Sequence, residues 1–117
     1  MTVKRIVANL ASEHLDVMRA FYCDLFELEL VMNHGWIQTY VSPEKMQVQL
    51  SVAIEGGSNT RVPDLSIEVD NLDEVLQKVM DRKLDIVYGP QIEPWGVRRF
   101  YIQDLIGRLL NVLQHIA

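Results

Sequence analysis

Asp64-Leu65-Ser66-Ile67-Glu68-Val69-Asp70-Asn71-Leu72-Asp73-Glu74-Val75-Leu76-Gln77-Lys78-Val79-Met80 carries two different periods back to back. Leu65, Ile67 and Val69 alternate with Asp64, Ser66 and Glu68, the period of a strand with one covered face. Asn71 then stands three residues before Glu74, the spacing of a capping box with Asn in place of Ser. Leu72, Val75, Leu76, Val79 and Met80 follow at i, i+3, i+4, i+7 and i+8, one face of an amphipathic helix. A β-α unit is predicted. Downstream, Lys83-Leu84-Asp85 closes the helix and Ile86 to Tyr88 reads as a short strand ended by Gly89-Pro90. Val97 to Gln103 and Leu109 to His115 complete the order β-α-β-β-β.

The first half of the chain repeats that order. In Val3 to Leu10, Ile6, Ala8 and Leu10 alternate with Arg5, Val7 and Asn9. Ser12 reads as an N-cap, and Leu15, Met18, Phe21, Tyr22, Leu25 and Phe26 form a broad helical face opposite Asp16, Arg19, Cys23 and Glu27. Strands are predicted at Glu29 to Met32, Trp36 to Val41 and Met46 to Val52, separated by Asn33-His34-Gly35 and Ser42-Pro43-Glu44-Lys45. Ile54-Glu55-Gly56-Gly57-Ser58-Asn59-Thr60-Arg61 has the composition of a linker. It is no phosphate loop, since no helix pattern follows and no Lys-Ser or Lys-Thr closes it. The prediction is an α+β domain of two tandem β-α-β-β-β modules, curved mixed sheets with a helix packed on each. Module one covers about 1–53, the linker about 54–62 and module two about 63–117.

Composition narrows the function classes. The chain has 117 residues, 49% of them hydrophobic, with 11 Lys plus Arg against 16 Asp plus Glu and a net charge of −5. That suits one compact core and excludes collagen-like, disulfide-rich and disordered chains. Cys23 is the only cysteine, so neither an intrachain disulfide nor a thiolate zinc cluster can form. The acidic balance argues against nucleic acid. No apolar run approaches the length that crosses a bilayer, and the N-terminal run is too short for a secretory signal, so a cytoplasmic location is expected.

The strand alternation also leaves a polar face: Arg5, Asn9, Gln47, Gln49, Ser51, Asp64, Ser66, Glu68 and Asn111. Amides and isolated charges, rather than a run of Lys and Glu, suit a partly enclosed hydrogen-bonding cavity.

The repeated modules, the helix end Arg19-Ala20-Phe21-Tyr22-Cys23-Asp24-Leu25-Phe26, and Pro94-Trp95-Gly96-Val97-Arg98-Arg99-Phe100-Tyr101-Ile102-Gln103-Asp104 resemble the vicinal oxygen chelate superfamily. That superfamily contains glyoxalase I, extradiol dioxygenases, fosfomycin-resistance enzymes and bleomycin-resistance proteins. The resemblance implies metal-ligand positions on the first and last strands of each module, which here hold Arg5, Gln49, Asp64 and Asn111. Asp104-Leu105-Ile106-Gly107-Arg108 stands where relatives carry Asp-Pro-Asp-Gly-Asn. An Arg cannot deprotonate to ligate, and two amides are weak partners for a divalent ion. No metal and no cofactor are therefore expected, and an Arg5–Asp64 ion pair is expected in the metal's place. A displaced metal site using His115 with Glu68 or Asp64 stays open; His14 and His34 read as solvated or structural.

Three functions follow from the resemblance. The first is a metal-free protein like the bleomycin-resistance branch that sequesters an aromatic or cationic small molecule. Its walls would be Trp36, Tyr40, Trp95 and Tyr101, with Arg99, Asp64, Glu68 and Asn111 fixing orientation. The second is a metal-dependent glyoxalase-like lyase or extradiol-type dioxygenase. The third is a ligand-free interaction protein. A homodimer, without nucleic acid or membrane, is expected in each case, because the modules leave sheet edges open.

Overall fold

A computed structural model describes residues 1–42 and 49–116. The predicted turn positions Pro43, Glu44 and Lys45 and the strand positions Met46, Gln47 and Val48 lie outside the described residues. The elements run β1 (Val3–Ala11), α1 (Leu15–Arg19), a π-helical turn (Ala20–Asp24), β2 (Glu29–Asn33), β3 (Ile37–Val41), β4 (Gln49–Ala53), β5 (Leu65–Val69), α2 (Leu72–Asp81), β6 (Tyr88–Glu93), β7 (Val97–Gln103) and β8 (Leu109–His115). This is an α+β chain with the β-α-β-β-β order twice. It divides into two compact units, Val7–Val62 and Met1–Ile6 with Pro63–Ala117, so the first residues of β1 belong with the second module.

In the Val7–Val62 unit the strand order is β2-β3-β4-β1, parallel only between β4 and β1. Register places Tyr40 opposite Leu50 and Gln38 opposite Val52, and it places Thr39 opposite Ser51 on the other face. Tyr22 stacks on the fully buried Tyr40 with ring centroids 6.4 Å apart. The helix face differs from the predicted one. A π-turn takes more than 3.6 residues, so side chains after Arg19 rotate away from the expected stripe. Phe21, Leu25 and Phe26 are exposed, while Cys23, expected on the outer face, is half-buried. Ser12 does not cap the helix; its hydroxyl accepts from the His14 N–H at 3.0 Å, and α1 starts without a side-chain cap. The predicted linker is ordered by its own bonds, with Gly56 N–H on Thr60 O at 2.7 Å.

In the other unit the order is β5-β8-β7-β6, parallel between β5 and β8 and antiparallel beyond. Ile67 and Phe100 both stand opposite Val112. With Val69, Leu72 and Val79 they make the core, and α2 covers that face. Asn71 caps α2 as predicted, its Oδ1 accepting the Glu74 N–H at 3.2 Å. Glu74 does not close the box; it pairs with the Met1 amino group at 2.6 Å. Met80, at the end of the predicted stripe, is exposed.

The sixth strand begins, rather than ends, at Tyr88. Gly-Pro reads as a terminator, but β6 lies at the end of the strand order and absorbs it in a register shift between Tyr88 and Gln91. Gly89 sits at φ +80° with Arg99 O 2.6 Å from where a Cβ would stand, so only glycine fits. The same registers set the second face. Asn111 stands between Ser66 and Tyr101, and Leu113 between Glu68 and Arg99. This is the polar face that carries the site.

Candidate functional site

Glu68 is the centre of one cluster. Its Oε1 accepts from Arg5 Nε at 2.6 Å, and its Oε2 lies 3.2 Å from His115 Nδ1 and 3.7 Å from Lys4 Nζ. Lys4 and Arg5 come from the start of β1, Glu68 from β5 and His115 from the end of β8. Burial works to raise the Glu68 pKa, but the charges and hydrogen bonds of Arg5 and His115 outweigh it and hold the carboxyl below its ordinary range. Ionised Glu68 can only accept, so the nitrogen facing it, Nδ1 of His115, carries a proton. Glu68 is buried, whereas the Lys4 and His115 side chains are 59% and 52% exposed, so the cluster opens to solvent on their side.

Arg5 thus pairs with Glu68 and not with Asp64, the expected partner. The parallel register of β5 and β8 begins at Leu65 opposite Leu110, which leaves Asp64 just outside the strand. There its Oδ2 accepts the Leu109 N–H at 2.8 Å, and Arg108 stands 3.9 Å from Oδ1. Four residue steps separate Asp64 from Glu68, about 13 Å of rise. Of the displaced set, His115 meets Glu68 while Asp64 stands apart along the strand. Among the described residues no three His, Cys, Asp or Glu side chains stand where they could hold a metal ion. The donor chemistry does not fit one either: Arg5 is a permanent cation and its neighbours are engaged. Gln49 opens β4 in the other unit, half-buried.

Asn111 is buried beside Ser66. Its Nδ2 donates to Ser66 Oγ at 3.1 Å, and its Oδ1 is buried with no hydrogen-bond partner among the described residues. An orphaned acceptor costs about 1–3 kcal/mol relative to a satisfied one. It is a standing demand for an N–H or O–H.

Arg99, Trp95 and Tyr101 do come together, but around one another. Glu93 Oε2 accepts from Arg99 Nη2 at 2.7 Å and from Nε at 2.9 Å, and Arg99 Nη1 donates to the Tyr101 hydroxyl at 2.9 Å. The guanidinium carbon lies 5.2, 5.0 and 4.9 Å from the ring centres of Tyr88, Trp95 and Tyr101. Tyr88 completes the box by donating to Glu93 Oε1 at 3.0 Å. This is a cation cage whose occupant belongs to the chain. Glu93 and Tyr88 escape a reading of the sequence because the contact needs the β6–β7 hairpin, which Gly89-Pro90 disguises.

Trp36 and Tyr40 belong to the Val7–Val62 unit. Tyr40 shares the helix-covered face of β3 with Gln38, whose Oε1 accepts its hydroxyl at 3.1 Å. Burial raises the Tyr40 pKa, Cys23 adds to the rise and Arg19 opposes it. Trp36 is half-buried just before β3, stacked on His34 with ring centroids 6.2 Å apart.

The family model described as "Glyoxalase-like domain" matches residues 6–116. Among solved structures, the chain is similar to NAD-dependent benzaldehyde dehydrogenase from Legionella pneumophila, at 16% identity and TM-score 0.75 over 95% of this chain and 99% of that one. It is also similar to a glyoxalase/bleomycin resistance protein/dioxygenase superfamily member from Vibrio splendidus 12B01, at 16% identity and TM-score 0.68 over 98% and 100%. A third is methylmalonyl-CoA epimerase from Mycobacterium tuberculosis, at 18% identity and TM-score 0.62 over 98% and 88%. No curated protein sequence matches the chain. Among the described residues no helix is long and apolar enough to cross a membrane. The repeated β-α-β-β-β order, the polar face it creates and a family match spanning almost every residue together place this chain in the glyoxalase-like family, within the vicinal oxygen chelate superfamily.

Proposed function

We propose that this chain is a metal-independent binding protein for a small polar molecule, held on the β5–β8 face. The buried Oδ1 of Asn111, without a hydrogen-bond partner among the described residues, is the observation that carries the reading. A bound N–H or O–H removes its desolvation cost, and so adds directly to affinity. The polarity of the rest of the face argues for a ligand that bears negative charge. The cage suited to an organic cation is filled by Arg99, whereas Lys4 and His115 stand exposed beside Glu68. A flat aromatic ligand is disfavoured, because Tyr40 and Tyr101 are buried in contacts of their own.

We also place the protein in the cytoplasm as a homodimer. The exposed Val17, Phe21 and Leu25 of the first helix and the open edges at β2 and β6 support the pairing.

The test is a thermal-shift and NMR titration of the purified chain with small hydroxy, amino and simple carboxylates, alongside Zn2+, Ni2+ and Mn2+. Saturable binding of an organic compound that Asn111→Ala weakens at least about tenfold supports the reading. Stoichiometric metal binding abolished by Glu68→Gln, with no organic ligand, overturns it.

A further inference from the structure

We infer that the polar face of the Val7–Val62 unit holds a second ligand subsite, in which the buried Thr39–Ser51 hydroxyl pair donates one hydrogen bond to a neutral carbonyl oxygen. The subsite lies in a different unit from Asn111 and does not depend on it.

The internal repeat points there. Ser66 of β5 stands opposite Asn111 of β8 in the second module, and Asn9 of β1 stands opposite Ser51 of β4 in the first. Each parallel strand pair thus sets one serine against one asparagine on its polar face, with the two strands exchanged. The antiparallel neighbour adds Tyr101 to one row and Thr39 to the other. That third residue changes the outcome. In the second module Ser66 takes the Asn111 amide, whereas in the first the Ser51 hydroxyl lies 2.7 Å from that of Thr39.

Two hydroxyls carry two protons, and their mutual bond uses one of them. The other proton has no acceptor among the described residues. Thr39 and Ser51 are 5% and 3% exposed, so this is a donor withdrawn from water and left without a partner among those residues. The spare proton sits on the hydroxyl that accepts the mutual bond, and accepting makes that hydroxyl a better donor, because bonds in a chain polarise one another. Asn9, next in the row, is half-buried, so the row reaches solvent.

Electrostatics choose the ligand. From Val7 onward, the described residues that β1, β3 and β4 place on this face carry no charge. Glu29, opposite Val41 on β2, is itself an anion. A carboxylate bound at the pair would lose its hydration with no counter-ion on those three strands, whereas a ketone, amide or ester oxygen needs only the one donor.

The experiment titrates the full chain with acetone and N,N-dimethylacetamide, neutral acceptors that carry no N–H or O–H, and with acetate. Binding is followed by the NMR shifts of the Thr39 and Ser51 resonances. We expect both neutral probes to move these resonances saturably and acetate to bind about tenfold more weakly or not at all. Either hydroxyl can deliver the spare proton, so Thr39→Val and Ser51→Ala should each weaken binding less than the two changes together. The double variant should bind the neutral probes about tenfold more weakly than wild type. Acetate binding as tightly as the neutral probes, neutral-probe binding that survives the double change, or a long-lived water on the pair that no probe displaces overturns the subsite. If an organic ligand saturates the chain through Asn111 while the neutral probes leave Thr39 and Ser51 unmoved, the binding reading survives and this one falls. The wild-type titration needs no substitution, so a variant that misfolds leaves the test intact.

Discussion

Two Arg–Glu pairs stand on the polar face of the same unit, and they differ in everything except composition. Arg99 and Glu93 are 3% and 2% exposed, doubly bonded and enclosed by three rings. Arg5 and Glu68 are 37% and 10% exposed, with Lys4 and His115 at the rim. A sealed pair exchanges all of its hydration for protein contacts and has nothing left to offer a ligand. The open pair keeps its outer partners in water, where a second anion can reach them. The same two residue types therefore build a structural strut in one place and a candidate binding element in the other.

Substitutions that break the comparison should rank by burial. Arg99→Ala strands the Glu93 carboxylate in the dry box, so it should cost about 3–5 kcal/mol in urea unfolding. Arg99→Met combined with Glu93→Leu should recover most of that loss, because it removes both charges and keeps volume. If the single change costs under about 1 kcal/mol, the box is wetter than its geometry indicates. Arg5→Ala should cost only about 1 kcal/mol, since the pair is partly solvated and Glu68 retains His115 and Lys4.

Acid titration sharpens the contrast. The Glu68 pKa is lowered on folding, so its stabilising contribution is complete above the unfolded carboxylate value. That contribution is lost as pH falls through the lower, folded value. Wild type and Glu68→Gln should therefore differ in stability near neutrality, and the difference should shrink in urea melts as pH falls below the ordinary carboxylate range. A difference that does not shrink as acid is added would remove the ion pair as its source. The smallest effect belongs to Asn111→Leu, which deletes an acceptor with no partner among the described residues along with the Nδ2 bond to Ser66. It should leave stability unchanged or raise it by up to about 1 kcal/mol while abolishing ligand binding.

The legible parts of the fold were those set by neighbours in sequence. Leu65, Ile67 and Val69 become β5, Asn71 caps α2, and β7 and β8 fall at Val97–Gln103 and Leu109–His115 as their alternation indicates. Where a second segment decides, the reading misses. The π-turn at Ala20–Asp24 rotates Phe21 and Leu25 outward, which no count of 3.6 residues anticipates. The edge strand past Gly89-Pro90 is invisible to local breaker signals, and with it goes the partner of Arg99. Arg5, Asp64, Glu68 and Asn111 were recognisable as one polar face, yet their pairings follow from a strand register that begins one residue after Asp64.

In β1 the alternation misleads, since Val7 is buried while Ile6 and Leu10 are exposed; by itself the sequence determined the two β-α-β-β-β modules, the alternating faces of β5 and the cap of α2. All of these are periodic or chemical properties of single segments. Only the tertiary structure decided that Arg5 meets Glu68, that Arg99 is locked in a cage and that Asn111 is left wanting a donor. Those outcomes depend on which strands lie side by side and in what register, and hydrogen bonds and ion pairs die away within a few ångströms of the correct match.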